Sequence, residues 1–208
     1  VRRSRLRDGL WTAAENMVYS DWDPVLHVID RFLIPAEWPR YRAIDFGFTN
    51  SFVCQWWAED PDGRLYLYRE ICGVQKLVKD WAHIIHDLTG TETIRATITD
   101  HDVEGRADLE AHAGHSADHC EDDRHAVHQM TTAALKDVSI GIEHVAGRLK
   151  RAGDGKPRLM VLRDALVWRD ESLEESKRPI GLVEEIESYV WDHANSQKYG
   201  DVLLEQPL

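Results

Sequence analysis

The chain has 208 residues, of which 43% are hydrophobic, and a formal net charge of −12 at pH 7, so it suits one medium-sized domain with an additional arm. It lacks an apolar run of about 18 residues, as a membrane-spanning helix would need, and its three widely spaced cysteines fit a reducing cytosol better than a disulfide framework. The acidic balance does not exclude a nucleic-acid partner, because basic residues cluster in VRRSRLR and GRLKRAGDGKPR.

The first 40 residues are predicted to be an arm or linker. They begin with VRRSRLRDGLW, which lacks both an initiator Met and the apolar middle of a signal peptide and so indicates a piece of a longer protein. Pro24, Pro35 and Pro39 and scattered aromatic residues interrupt any regular period. A domain is therefore predicted over residues 41–208.

Three strands open this domain. Residues 41–46, 51–58 and 65–70 are short apolar runs, the last of them with some alternation, as in LYLYRE. Between the second and third runs, DPDG places proline and glycine where a tight turn needs them. The sequence therefore predicts an antiparallel meander.

After Gly73 the apolar period changes from two to 3.6, which predicts an amphipathic helix through residue 88. A strand at 94–99 and a helix at 103–112 follow. A second clear helix is predicted at 137–150, burying Val138, Ile142, Val145 and Leu149. The remaining predictions are a strand at 158–163, a helix at 180–186 and a strand at 187–191.

Three antiparallel strands followed by alternating helices and strands indicate an α/β fold, with a mixed β-sheet and helices on both faces. This order is that of the ribonuclease-H-like fold. In that fold the first strand and the strand after the first long helix are neighbours, so the residues that end them meet at one edge of the sheet.

Asp45 and Asp100 occupy those two positions. Two close carboxylates repel each other, and one of them would be driven to protonate unless a cation lay between them. Mg²⁺ or Mn²⁺ prefers oxygen ligands, and a pair of such ions can clamp the attacking and leaving oxygens of a phosphodiester. The pair therefore predicts a metal site. The alternatives are a turn residue at Asp45 and a helix cap at Asp100, although Asp102 can cap that helix and is also a further candidate ligand.

Other kinds of site have weaker support. The DFG at residues 45–47 is not part of a kinase, because the glycine-rich loop, strand lysine and HRD of a kinase do not precede it. The chain also lacks the GxxxxGK[ST] phosphate loop. Residues 112–128 are rich in histidine, which would suit zinc, but the intervening acids favour a solvated loop and no Cys-x-x-Cys is present.

With these motifs in hand, the sequence resembles the large subunit of tailed-phage terminase, the DNA-packaging motor. RLRDGLWTAAENMVY resembles the segment that joins the ATPase part to the nuclease. AIDFGFTNSFVCQWWAEDPDGRLYLYREI resembles the first nuclease motif, with Asp45 at its metal-binding acid, and ITDHD resembles the second, with Asp100 as the ligand. ALKDVSIGIEHVAGRL and IESYVWD resemble later elements of the same domain.

The resemblance implies a nuclease domain that cuts concatemeric double-stranded phage DNA with two Mg²⁺ or Mn²⁺ ions. Asp45 and Asp100 would be both the catalytic and the metal-binding residues. The implied partners are double-stranded DNA, an upstream ATPase domain, the portal protein and the small terminase subunit, with no membrane. The implied location is the host cell cytoplasm. Three basic residues are candidates for DNA contact: Lys136, Arg148 and Lys150.

The family supplies a third acidic ligand from a C-terminal helix with a pattern like D-H-x-x-D-A. Only WDHANS and DRHAVH partly match that pattern in this chain, and neither lies where the family has its C-terminal helix. The third ligand and its helix are therefore expected beyond Leu208, with the domain truncated before its last helix.

Two alternatives to this function remain open. The fold could serve as a non-catalytic module that docks DNA or the portal with an incomplete metal site. It could also be another ribonuclease-H-like nuclease, such as a junction resolvase or a transposase. Glu70 is interpreted as a strand-end charge, with a supporting role behind the metal ligands as the alternative.

Overall fold

A computed structural model describes residues 17–100, 102–112, 131–134, 137–175 and 178–191 of the chain. These residues form an eight-stranded mixed sheet with helices packed around it. Within the described ranges, no helix is both long enough and apolar enough to span a bilayer.

The elements follow one another along the described chain as α1 (Pro24–His27), β1 (Val28–Ile29), β2 (Arg40–Asp45), β3 (Phe52–Glu59), β4 (Leu65–Gly73), α2 (Val78–Thr89), β5 (Ile94–Thr99), α3 (Val103–His112), β6 (Thr131–Ala133), α4 (Val138–Leu149), β7 (Leu159–Leu162), β8 (Leu166–Arg169), α5 (Glu171–Glu175) and α6 (Leu182–Ser188). The strand order in the sheet is β1-β7-β4-β3-β2-β5-β6, and β8 also pairs with β4.

Strands β2, β3 and β4 form the predicted meander. β3 lies between the other two and is antiparallel to both. Its residues alternate between buried and half-buried, with the side chains of Phe52, Cys54, Trp56 and Ala58 in the core. The alternation predicted for residues 65–70 is not seen in the burial of β4, where the consecutive residues Tyr66, Leu67 and Tyr68 are all buried, because both faces of this central strand are covered.

The other strands extend the sheet on either side of the meander by parallel pairing. β5 is parallel to β2, and β6 is parallel to β5. On the far side, β7 and β8 are both parallel to β4. This mixed sheet confirms the predicted fold class.

Aromatic packing joins the helices to the sheet. The ring of Trp81 in α2 stacks on Phe52 with centroids 4.6 Å apart, and Trp168 meets Trp81 edge-on. Trp22 is buried in the same core, although it belongs to the predicted arm. Since β1 also pairs with β7, the described part of the arm packs on the domain. The boundary at residue 40 itself stays a prediction.

Two predictions about elements were wrong in detail, and one strand was not predicted. Of the four α4 residues expected in the core, Leu149 is buried and Val145 is half-buried against the core, whereas Val138 is 58% exposed, because no described element covers the N-terminal end of the helix. The strand expected at 187–191 is reduced to bridge pairing at Val190, which pairs with Met17, and at Trp191, since α6 continues to Ser188. The sequence analysis also missed β8.

A buried ion pair closes the β3–β4 turn. The Asp60 carboxylate accepts hydrogen bonds from the backbone N–H groups of Asp62 at 3.0 Å and Arg64 at 2.8 Å. The Arg64 guanidinium donates to the same carboxylate at 2.9 Å, and each of the two side chains is only 7% exposed. The turn therefore depends on a charge that has little contact with water.

We predict that Asp60→Ala lowers the free energy of unfolding by about 3 kcal/mol, because it removes the acceptor of two backbone N–H groups and leaves the buried Arg64 guanidinium with only the more exposed Asp154 carboxylate and the carbonyl oxygen of Pro157. The measurement is urea unfolding followed by tryptophan fluorescence. Asp62→Ala, an exposed change in the same turn, is the control and should shift the unfolding midpoint little. Equal midpoints for the two variants would contradict the importance of the ion pair.

Candidate metal and nucleic-acid site

The parallel pairing of β2 with β5 brings Asp45 and Asp100 together. Ile44 lies opposite Thr99 in the register of the two strands, and each aspartate is the next residue along its strand. Since the carboxyl ends of adjacent parallel strands meet at the same edge of a sheet, both carboxylates lie at that edge. Both residues are exposed to solvent there. The juxtaposition that the sequence predicted is confirmed by this register.

The two carboxylates influence each other's charge. Partial burial, and then the negative charge of Asp100, raise the pKa of Asp45. The pair therefore favours the arrival of a positive charge, which would relieve the repulsion and favour the ionised form of Asp45.

A cavity of about 610 Å³ opens beside this pair. Polar side chains reach it from the end of β2, the β2–β3 loop, the end of β5 and the segment around α6. They include Asp45, Asn50, Ser51, Asp100, Arg178 and Glu185. Of the described lining residues, Arg178 alone carries a positive charge. The cavity is therefore acidic on its walls and has one guanidinium.

Glu185 is the acid that the sequence analysis missed. It lies on α6, and burial, Glu70 and Asp45 raise its pKa, in that order of importance. The helix at 180–186 was predicted, but nothing in the local pattern EEIES distinguishes this acid from its neighbours. Its position against Asp45 depends on how α6 packs on the sheet.

Glu70 does not lie at a strand end as interpreted from the sequence, because β4 continues to Gly73. It is 2% exposed, and burial raises its pKa although two hydrogen bonds oppose that effect. Gln55 donates to its carboxylate at 2.7 Å, and the backbone N–H of Leu182 is 3.1 Å from each of its oxygens. The carboxylate therefore joins β3, β4 and the first residue of α6.

Asp102 lies at the start of α3 rather than among the cavity residues. Its carboxylate accepts a hydrogen bond from the backbone N–H of Glu104 at 3.1 Å, and its carbonyl oxygen accepts from Arg106. This is the capping contact that the sequence indicated. Its candidacy as a metal ligand stays a prediction.

Two of the three basic residues predicted to contact DNA, Arg148 and Lys150, lie away from this cavity. Arg148 donates to the carbonyl oxygen of Gly63, in the β3–β4 turn, at 3.0 Å. That turn is at the end of the strands opposite Asp45, as the pairing of Arg40 with Ala58 shows. Lys150 ends the same helix as Arg148. Lys136 lies outside the described residues, so DNA contact by all three residues stays a prediction.

No three or more His, Cys, Asp or Glu side chains are grouped to hold a metal ion in the part of the chain that the structure describes. Of the histidine-rich segment at 112–128, only His112 is described. Its Nδ1 lies 2.8 Å from the carbonyl oxygen of Asp108, one turn back in α3. The rest of that segment lies outside the described residues. The third acidic ligand, expected beyond Leu208, is also untested.

No protein-family model matches the chain, and no curated protein matches it in sequence. Solved structures match it in fold. A large terminase from a thermophilic bacteriophage has 19% identity and a TM-score of 0.65, over 93% of this chain and 41% of that one. The P22 large terminase nuclease domain has 15% identity and a TM-score of 0.50, over 72% and 73%. The large terminase nuclease of a second thermophilic phage, G20c, has 13% identity and a TM-score of 0.53, over 85% and 83%.

The chain thus has the fold of terminase nuclease domains, and the resemblance read from its sequence is confirmed at that level. It spans 41% of the length of the first of these terminases, whereas it covers most of the two separate nuclease domains. At identities below 20% these likenesses establish the fold alone.

We predict that Asp100→Asn lowers the pKa of Asp45. The change removes a neighbouring negative charge, so the ionised form of Asp45 becomes less unfavourable. The measurement is an NMR titration of the Asp45 side-chain carboxyl carbon in a metal-free buffer, with Asp62→Asn as the control. An unchanged pKa of Asp45 in Asp100→Asn would show that the two carboxylates are too far apart to interact.

Proposed function

We propose that the chain is the nuclease domain of a phage terminase large subunit, and that it cuts concatemeric double-stranded DNA with the help of divalent cations. One observation carries this proposal: Asp45 and Asp100 end adjacent parallel strands in a fold shared with terminase nuclease domains. The combination is more specific than either part, because the fold alone supports many functions.

The donor set fits Mg²⁺ or Mn²⁺. Asp45 and Asp100 offer carboxylate oxygens, which such hard cations prefer, and no sulfur or imidazole ligand is among the described lining residues of the cavity. Burial and then the charge of Asp100 raise the pKa of Asp45, and a bound cation would relieve the second of these effects. Asp45 and Asp100 would therefore hold the ions. The chemistry that two such ions supply when bound is activation of a water and stabilisation of the departing 3′ oxygen.

The chain's own residues have three tasks in this scheme. Asp45 and Asp100 fix the position of the cations at the edge of the sheet. The open cavity admits a phosphodiester from solvent. Arg178 presents a guanidinium from the cavity wall, which suits a phosphate oxygen of the DNA backbone. The DNA contact is thus proposed at Arg178, a residue that the sequence analysis did not select.

The wider setting also belongs to this proposal. The upstream partner would be an ATPase domain, and the motor would include the portal protein and the small terminase subunit, in the cytoplasm of the host cell. These partners rest on the resemblance of the sequence to terminases, since the chain spans only 41% of the first terminase to which its fold is similar.

The second candidate function is a non-catalytic module that docks DNA or the portal. The observation that favours it is that the described residues contain no group of three metal-binding side chains. It differs from the nuclease in one property: it does not need Asp45 and Asp100 to bind a cation. Metal binding and DNA cutting therefore separate the two functions.

We predict that the chain nicks supercoiled plasmid DNA in Mn²⁺ and that Asp45→Asn reduces the rate by more than about 100-fold. Replacing a residue that hydrogen-bonds to a metal ligand typically lowers activity by roughly 10–100-fold. Replacing a ligand itself should lower it further. The measurement is the rate of conversion of supercoiled to open-circular DNA on agarose gels.

The matched control for this assay is Asp62→Asn, an exposed aspartate at the opposite end of the strands. It should nick like the wild type. Equal nicking by Asp45→Asn and wild type would reject the nuclease proposal. A folded wild-type chain that neither nicks DNA nor binds Mn²⁺ in calorimetry would favour the docking module instead.

We predict that Arg178→Ala weakens binding to duplex DNA and reduces the slope of log affinity against log salt by about 1, because one phosphate contact is lost. The measurement is fluorescence anisotropy with a labelled duplex at several salt concentrations. Lys150→Ala, at the far end of the strands, is the comparison. A salt slope changed by Lys150→Ala and not by Arg178→Ala would place the DNA on the other end of the sheet.

A further inference from the structure

Glu70 is a buried acid that the proposed reaction does not use directly. Glu70 is 2% exposed and lies in β4, one of the inner strands of the sheet. Burying an ionisable group is costly unless its hydrogen-bonding capacity is satisfied. The described partners of the Glu70 side chain are an amide from Gln55 and a backbone N–H from Leu182. The Glu70 carboxylate therefore links β3 to the start of α6.

On the α6 side, the carboxylate binds the start of the helix. The N–H of Leu182 is one of the first N–H groups of a helix, which have no partner within it, and it lies 3.1 Å from both Glu70 oxygens. The preceding Gly181 has a φ of +78°, and a Cβ there would come within 2.8 Å of a Glu70 oxygen. The backbone of α6 therefore approaches Glu70 closely enough to require glycine.

On the sheet side, the carboxylate is held by Gln55. The Gln55 amide nitrogen donates to Glu70 at 2.7 Å, and its oxygen accepts from the Trp57 indole at 3.2 Å. This second bond fixes which end of the Gln55 amide faces Glu70. The Gln55 amide therefore holds the Glu70 carboxylate on the β3 side, independently of its contact with α6.

Glu185 is three residues after Leu182, about one turn along α6, and lines the same cavity as Asp45 and Asp100. We propose that Glu70 is a positioning residue: by binding the start of α6 it sets Glu185 against the cavity, where the Glu185 charge strengthens binding of a divalent cation. This inference rests on the proposed nuclease function. Because the described residues contain no three-ligand group, Glu185 acts through its charge and through water rather than as a third direct ligand.

The test is Mn²⁺ binding measured by isothermal titration calorimetry, so it does not depend on catalysis. Glu70→Ala and Glu185→Gln should each weaken Mn²⁺ binding by about 10-fold, the range expected for a group that acts behind the ligands. The double variant should bind no more weakly than Glu185→Gln alone, because Glu70 acts through Glu185. Glu92→Gln is the control, since that acid contacts Tyr68 and Arg69 instead of α6 and should leave the affinity unchanged.

A folded Glu70→Ala variant with wild-type Mn²⁺ affinity would overturn the inference, and so would additive losses in the double variant. If circular dichroism shows that Glu70→Ala does not fold, Glu185→Gln decides, and wild-type affinity in that variant overturns the inference. The Asp45→Asn variant shows whether a negative result concerns only the role of Glu70 or the proposed metal site as a whole. If Asp45→Asn also leaves Mn²⁺ affinity unchanged, the metal site itself is rejected, whereas loss of binding in Asp45→Asn alone rejects only the role of Glu70.

Discussion

The parallel pairing of β2 with β5 is the interaction on which the rest of the site depends. These strands are separated in sequence by the whole of β3, β4 and α2, yet their register sets Ile44 opposite Thr99. A slip of one residue would turn the next side chain to the other face of the sheet. Burial of Ile44 and Thr99 opposes such a slip, because a slip would move one of these two buried side chains to the other face of the sheet.

Strand order explains why the sequence was informative about this pair. The meander could be predicted because its strands are short apolar runs and DPDG marks the turn between the last two, and the helix after it because its apolar period is 3.6. Those local patterns, with one topological expectation about neighbouring strands, place Asp45 and Asp100 at one edge. Each strand and helix was predicted from residues close together in the sequence. The pairing of β2 with β5, which are far apart in the sequence, was expected from the strand order of the ribonuclease-H-like fold.

Glu185 could not be found in this way, and for Glu70 the choice between a strand-end charge and a supporting acid could not be made. Their proximity depends on α6 docking on β4, between residues 112 positions apart, and no local period encodes that contact. The same reason accounts for the error at α4. Its apolar residues have a helical period, but the period shows only which residues share a face and not whether another element covers that face. Val138 has the correct period and is exposed.

The acidic side chains around the cavity disfavour the entry of an anion such as a phosphate. Asp45, Asp100 and Glu185 repel a DNA phosphate, and Arg178 is the one positive side chain among the described lining residues. One guanidinium does not balance three carboxylates, and the net charge of −12 adds no attraction at a distance. Burial first, and then neighbouring carboxylates, raise the pKa values of Asp45 and Glu185. Under the proposed nuclease function, a phosphodiester would therefore fit this cavity only after further positive charge has entered, and the proposed cation would be needed for substrate binding as well as for the chemistry.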